Sequence, residues 1–282
     1  MLTFTEKESL MRHLKNLKNQ QVSIGFVPTM GALHNGHLSL VQKSVADNDI
    51  TVVSIFVNPT QFDNLSDLEK YPRDLEKDIS LLEPFNSKLI VFTPSISNMY
   101  ENGLTSDTYF FDNLENEMEG KHRKGHFDGV ATVVSKLFEI INPNKAYFGE
   151  KDFQQLQIIR KMVAQNGQKV SIVNCPIVRE DNGLAMSSRN ERLSTKEREE
   201  AAIIYQTLKE VKEKFHSENI ETLNKLVTER FLPYANMQLE YFEIADEETL
   251  KSANSKEANK KYRAFIAVFI GGVRLIDNIA LY

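Results

Sequence analysis

The chain has 282 residues, 41% hydrophobic and 26% charged, with a formal net charge of −5. Such a length exceeds the ~100–200 residues usual for one domain, so one large or two unequal domains are expected, with ample material for a core. The negative balance leaves no electrostatic footprint for nucleic acid, no apolar run is long enough to span a bilayer, and a lone cysteine, Cys175, permits no intrachain disulfide.

Residues 5–20 read as an amphipathic helix with Leu10, Leu14 and Leu17 on one face, not as a signal peptide, which makes the reducing cytoplasm the expected compartment. Residues 22–27 have strand character and run into Pro28-Thr29-Met30-Gly31; a 3.6-residue apolar pattern then begins at Leu38 and returns at Val41 and Val45. Residues 50–57 are apolar without alternation, as in a strand buried on both faces of a parallel sheet. Residues 22–57 therefore form one βαβ unit. Ligands of such units bind beyond the carboxyl ends of the strands, where the next helix's free N–H groups favour phosphate. The loop at that place carries His34-Asn35-Gly36-His37, two imidazoles able to donate hydrogen bonds to a phosphate beside a glycine that lets the backbone come close.

Asn58-Pro59-Thr60-Gln61-Phe62 is a turn signal at the next strand end and a second candidate site loop. Within the charged residues 63–83, Pro72 suits position N1 of a helix whose apolar stripe is Leu75, Ile79 and Leu82. A strand is expected at residues 88–92. Residues 94–126 lack periodicity, and Gly120-Lys121-His122-Arg123-Lys124-Gly125-His126 reads as a mobile basic loop. The helix expected over 128–141 is apolar enough to be buried or at a subunit contact, and Asn142-Pro143 ends it. A strand at 145–148, the loop Gly149-Glu150-Lys151-Asp152 and a helix over 153–165 repeat the strand-loop-helix design. A strand at 170–173 leads past Ile177-Val178 and the turn Asp181-Asn182-Gly183 to Met186-Ser187-Ser188-Arg189. Beyond it, residues 195–230 read as two charged amphipathic helices and 238–282 as strands, with Gly271-Gly272 a turn between them. The expected fold is α/β: a Rossmann-like parallel sheet in residues 1–178, and a smaller α+β domain over 179–282 that closes over the site. With no Walker lysine loop and no GxGxxG, cations for a nucleotide's phosphates must come from elsewhere, and Lys151 and Arg189 are the candidates.

The segments PTMGALHNGH, SIFVNPTQF, YPRD, GHFDGVATVVSKLF, FGEKDFQQL and IVREDNGLAMSSRN lie in this order across essentially residues 22–193. Together they resemble the pantoate–β-alanine ligases, a family of the HxGH nucleotidyltransferase superfamily that also holds the class I aminoacyl-tRNA synthetases. MSSRN resembles the superfamily's KMSKS-like second signature, with arginine in place of lysine. The resemblance implies an ATP-dependent ligase that joins (R)-pantoate to β-alanine through a pantoyl adenylate, releasing AMP and pyrophosphate, with Mg²⁺ as helper. It implies ATP contacts from Met30, Gly31, Ala32, Leu33, His34, Asn35, Gly36 and His37, from Gly149, Glu150, Lys151 and Asp152, from Val178, and from Met186, Ser187, Ser188 and Arg189. Catalysis would fall to His37, as proton donor, with His34, Lys151 and Arg189; Gln61 and Gln155 would hold pantoate, and Gln61 would also lie near β-alanine. Neutral amides suit that task because they bind a hydroxy-acid without blunting the carboxylate that attacks. No metal ligand is named, and a homodimer joined through the larger domain is implied. A nucleotidylyltransferase would want cations rather than Gln61 and Gln155 around its acceptor. A non-catalytic nucleotide-binding module would be expected to lack His37 or Arg189, and both are present.

Overall fold

The computed structural model describes all residues, Met1–Tyr282. Strand β1 (Leu2–Phe4) and helix α1 (Lys7–Asn19) come first, and Leu10 and Leu14 of α1 are buried as its apolar stripe requires. There follow β2 (Ile24–Thr29), α2 (Asn35–Asp47), β3 (Ile50–Ile55), the short helices α3 (Leu65–Glu69) and α4 (Leu75–Leu82), and β4 (Leu89–Phe92). Then come α5 (Ile96–Met99), α6 (Met118–His122), α7 (His126–Ile141), β5 (Lys145–Gly149), α8 (Phe153–Gln165) and β6 (Ser171–Cys175).

The six strands form one parallel sheet in the order β1-β4-β3-β2-β5-β6. Leaving β1 aside, this is the Rossmann-like order, and its direction of winding reverses between β2 and β5, where a crevice opens at the carboxyl edge. The pairing shows the opening. Strand β2 is paired with β3 along its whole length but with β5 only at Gly25 and Phe26. Pro28 lies two residues further on, so its missing N–H falls where β2 and β5 have already parted.

The rest of the chain builds a second layer pair. Helices α9 (Thr195–Glu200), α10 (Ala202–Lys214) and α11 (Ile220–Phe231) precede the antiparallel sheet β7 (Met237–Asp246), β8 (Tyr262–Ile270) and β9 (Val273–Ala280). Leu208, Val211, Leu223 and Val227 of the helices form a core with Ile266 and Val268 of the sheet. Gly271 and Gly272 both have positive φ, 54° and 79°, as the two-residue hairpin between β8 and β9 demands.

Three expectations are corrected. Pro72 is not at a helix start: the Asp74 carboxylate accepts from the Lys77 N–H at 3.0 Å, so it caps α4 and Pro72 stays in the preceding loop. Residues 195–230 make three helices, because Ser194 and Glu197 form a capping box that starts α9 as a separate short turn. The segment 120–126 is not a mobile basic loop; Gly125, at φ 76°, joins α6 to α7, and Arg123 and His126 turn inward. Strand β1 was too short for its pattern to announce. Helix α7 is core within the chain itself, with 12 of its 16 residues buried.

Candidate active site

The β2–α2 loop is shaped by a buried carboxylate that sequence reasoning missed. Gly31 and Ala32 take φ of 83° and 49°, and Asp78 of α4 accepts the N–H groups of Ala32 and Leu33 at 3.0 and 2.6 Å. A Cβ at Gly31 would lie 2.9 Å from the Asp78 carboxylate. Burial pushes the Asp78 pKa up, against the pull of those two N–H bonds. After this turn His34 caps α2, its Nδ1 accepting from the Gly36 N–H at 3.1 Å. That contact leaves the His34 proton on Nε2. The His34 and His37 rings lie against each other, tilted by 39° with 4.1 Å between centroids. Burial, then the Lys151 charge, brings the His34 pKa down to about 4. Burial, then His34 and Lys151, hold His37 well below the usual histidine range. Both rings are therefore neutral at pH 7, donors of a hydrogen bond rather than carriers of a spare proton.

The loop after β3 presents a different chemistry. Asn58 is 1% exposed, and its Oδ1 accepts from Tyr100 Oη at 2.6 Å and Thr60 Oγ1 at 3.1 Å. Its Nδ2 must then donate, and it does so to Gly129 O and to Gln61 Oε1, both at 3.1 Å. With Oε1 so occupied, the two N–H bonds of Gln61 Nε2 are left for the cavity. The main chain of Gln61 is also held: its carbonyl accepts from His126 Nδ1 at 2.8 Å and from Arg123 Nη2 at 3.4 Å. Arg123 Nη1 meets the other His126 nitrogen at 3.2 Å, so the ring is neutral with its proton on Nδ1, and burial followed by the Arg123 charge brings its pKa to about 3. Helix α7 approaches this loop so closely that a Cβ on Gly129 would meet Thr60 O at 2.4 Å.

Lys151 stands in the β5–α8 turn with Asp152 at 3.5 Å, and Gln155 is in the first turns of α8. Across the turn with Gly183 at φ 94°, Val178 O accepts from the Met186 N–H at 3.0 Å, which brings both side chains to the same wall. Ser188 is buried and donates to Ala32 O at 3.0 Å, tying the MSSR segment to the HNGH loop. Arg189 pairs with Asp67 at 2.7 Å, and Arg192 shares that carboxylate at 2.9 Å, so a net positive charge remains. The Arg189 guanidinium also sits over the Tyr71 ring at 5.8 Å.

One cavity collects most of the predicted residues: Met30, His34, Gly36, His37, Gln61, Gly149, Lys151, Asp152, Gln155, Val178, Met186, Ser187, Ser188 and Arg189 all line it. Gly31, Ala32, Leu33, Asn35 and Glu150 do not. The first three are turned to Asp78 and the core, Asn35 is exposed at the start of α2, and Glu150 is bonded to Asn174. Asn58 of the second candidate loop also lines the cavity, as do Tyr71, Arg123 and His126, which sequence reasoning missed. Arg123 and His126 had a signal, the cation run between glycines, which reads in the sequence as a mobile basic loop and gives no sign that these two side chains turn inward. No cluster of three or more His, Cys, Asp or Glu suited to a metal is present.

The pantoate–β-alanine ligase family model matches residues 2–280. The chain belongs to that family. It is 54% identical over 281 residues to the pantothenate synthetase of Flavobacterium psychrophilum, covering all of both chains, and 56% identical over 281 residues to that of Christiangramia forsetii, covering 100% and 99%. Among solved structures, the pantothenate synthetase of Thermus thermophilus superposes with a TM-score of 0.91 at 38% identity over the whole of both chains. The pantoate–β-alanine ligase of Francisella tularensis, solved in complex with β-γ ATP and β-alanine, gives 0.81 at 37% identity, covering 100% and 98%. This family member is accordingly an enzyme, a ligase with the mixed α/β architecture of its relatives. No helix is long and apolar enough to cross a membrane.

Proposed function

We propose that the chain condenses pantoate with β-alanine in two steps within this cavity, using ATP and passing through a pantoyl adenylate. A pantoate carboxylate oxygen attacks the α-phosphorus and the bond to pyrophosphate breaks. The β-alanine nitrogen then attacks the acyl carbon, loses a proton, and AMP leaves. The observation that carries this reading is that one cavity, at the reversal point between β2 and β5, is lined both by Lys151, Arg189 and the paired neutral imidazoles and by the amides of Gln61 and Gln155. The first set suits charge growing on phosphate oxygens, and the second suits an uncharged grip on a hydroxy-acid. The Francisella relative's nucleotide and β-alanine support the same pair of ligands here.

His34 and His37 act in this reading as hydrogen-bond donors, the His34 Nε2–H being fixed by the Gly36 contact. Met30, Gly36, Gly149, Asp152, Val178, Met186, Ser187 and Ser188 shape the nucleotide's surroundings. Arg123 lies beside Gln61 but is countered by Glu119 at 3.6 Å and Asp63 at 3.8 Å, so it does not quench the pantoate carboxylate. Mg²⁺ enters with ATP as part of the substrate. Such an ion keeps most of its waters and is held chiefly by phosphates, and Asp152, 3.5 Å from Lys151, is a carboxylate on the cavity wall. Residues 179–282 act as the smaller domain over the site, supported by the Arg274–Glu119 pair at 2.8 Å that joins β9 to α6. Family resemblance adds a homodimer joined through the larger domain, and buried, unpaired Cys175 suits the reducing cytoplasm.

The test is separability of the first step. Enzyme at stoichiometric concentration, given ATP and pantoate alone, should release about one pyrophosphate per site and resume turnover when β-alanine is added. Pyrophosphate that appears only with all three substrates present overturns the two-step reading.

A further inference from the structure

Lys151 is placed by its main chain more than by partners of its side chain, whose one ion-pair contact is its neighbour Asp152 at 3.5 Å. The turn that carries it is three residues of 3-10 helix, Glu150–Asp152, with no side-chain cap at its start. What grips this turn comes from the other sheet. Asn278 of β9 is 2% exposed, and its Nδ2 donates to the carbonyls of both Glu150 and Lys151 at 2.9 Å. Its Oδ1 accepts from Arg263 Nη1 at 2.7 Å. Arg263 is itself buried, pairs through Nε with Glu247 at 2.7 Å and lies over the Phe153 ring at 4.0 Å. The amide can sit only one way, since a guanidinium only donates and a backbone carbonyl only accepts. Next to it, Asp277 holds Arg179 through two contacts of 2.6 and 3.0 Å, which anchors β9 to the segment after β6.

We propose that Asn278 is a positioning residue for Lys151, a clamp by which the smaller sheet sets where the lysine charge stands during attack on the α-phosphorus. The inference rests on the role given above to Lys151. Both N–H groups of Asn278 are taken up by the turn, so it offers none to a substrate and acts through the lysine backbone. A preorganised cation is worth most when it does not have to move as charge develops, so a turn freed from the clamp slows adenylate formation more than it weakens ATP binding.

The experiment measures single-turnover pyrophosphate release with ATP and pantoate, together with ATP affinity and melting temperature, for Asn278→Asp, Asn278→Ser, Lys151→Ala and the double variant of Asn278→Ser with Lys151→Ala. Asn278→Asp keeps the shape and the Arg263 contact but turns an acceptor toward two carbonyl oxygens, and a loss of about 100-fold in rate is expected. Asn278→Ser should lose about 10-fold, and it decides the matter if the aspartate variant fails to fold. ATP affinity should change less than about threefold in either. In the Lys151→Ala background, Asn278→Ser should slow the reaction by less than about twofold, because the group it positions is gone. Full additivity, a native rate in Asn278→Ser, or equal losses in rate and ATP affinity overturns the clamp while leaving the reading of Lys151 intact, provided Lys151→Ala alone is slow. A near-native Lys151→Ala overturns that reading, and the clamp with it.

Discussion

Replacing Gln61 with leucine tests the proposed placement of pantoate on that side of the cavity. Gln61 is 8% exposed and its Oε1 is already used by Asn58, so the substitution removes one internal hydrogen bond and the outward N–H groups of Nε2. Asn58 Nδ2 keeps Gly129 O, and the Gln61 carbonyl keeps His126, because that contact is made by the main chain. Loss of stability should therefore be about 1 kcal/mol. A hydrogen bond to a carboxylate is worth about 1.5–3 kcal/mol, so pantoate affinity should fall ~10–150-fold, with ATP affinity measured without pantoate held within about twofold. Gln61→Glu is sharper: one oxygen still accepts from Asn58 and the other faces the incoming carboxylate, so pantoate binding should weaken by more than ~10³-fold. Isothermal titration of each variant with ATP and with pantoate reads both numbers. Equal losses for the two ligands would point to collapse of the site, and an unchanged pantoate affinity would refute the assignment of Gln61 to the pocket.

His37→Ala and Arg189→Ala should each slow pyrophosphate release ~10²–10³-fold in a folded protein, as checked by rapid quench and circular dichroism; near-native rates would remove the residue from the chemistry. Glu119→Gln tests the joint between the sheets. Burial would raise the Glu119 pKa, but the Arg274 guanidinium, then Arg123 and the Tyr241 hydroxyl, hold it at about 2 against an ordinary 4.5. That gap amounts to about 3 kcal/mol of stability, present above the ordinary value and lost as pH falls toward 2. Denaturant unfolding of wild type and variant should differ by about 3 kcal/mol at pH 7 and by roughly half as much at pH 3; a difference independent of pH would exclude the charge as its source. Gly129→Ala should push the loop that carries Gln61, raising KM for pantoate at least ~10-fold with ATP little affected, which steady-state kinetics would show.

Local patterning carried most of the elements. The period at Leu38, Val41 and Val45, the unbroken apolar run of β3, and the glycines of the β8–β9 hairpin announced themselves because neighbours in sequence decide helix, strand and turn. Boundaries went astray where a cap overrode a weaker signal, as Asp74 did for Pro72. The candidate site loops were legible too: HNGH, EKD and MSSRN are short stretches of limited residue types, and the fold brings residues of all three to one cavity. What the sequence left open is which residues serve the site from a distance. Thr29 and Gly149 end strands far apart in the chain, and the crevice between them exists only because β2 and β5 are neighbours with opposite winding on either side. Asp78 on the first loop, Asp67 on Arg189, Arg123 and His126 on the Gln61 carbonyl, and Asn278 on the Lys151 turn are each one polar residue among many of their kind. A buried donor or acceptor must be satisfied, but the choice of partner is made by which elements pack together, and that is settled by the whole core rather than by any stretch of the chain.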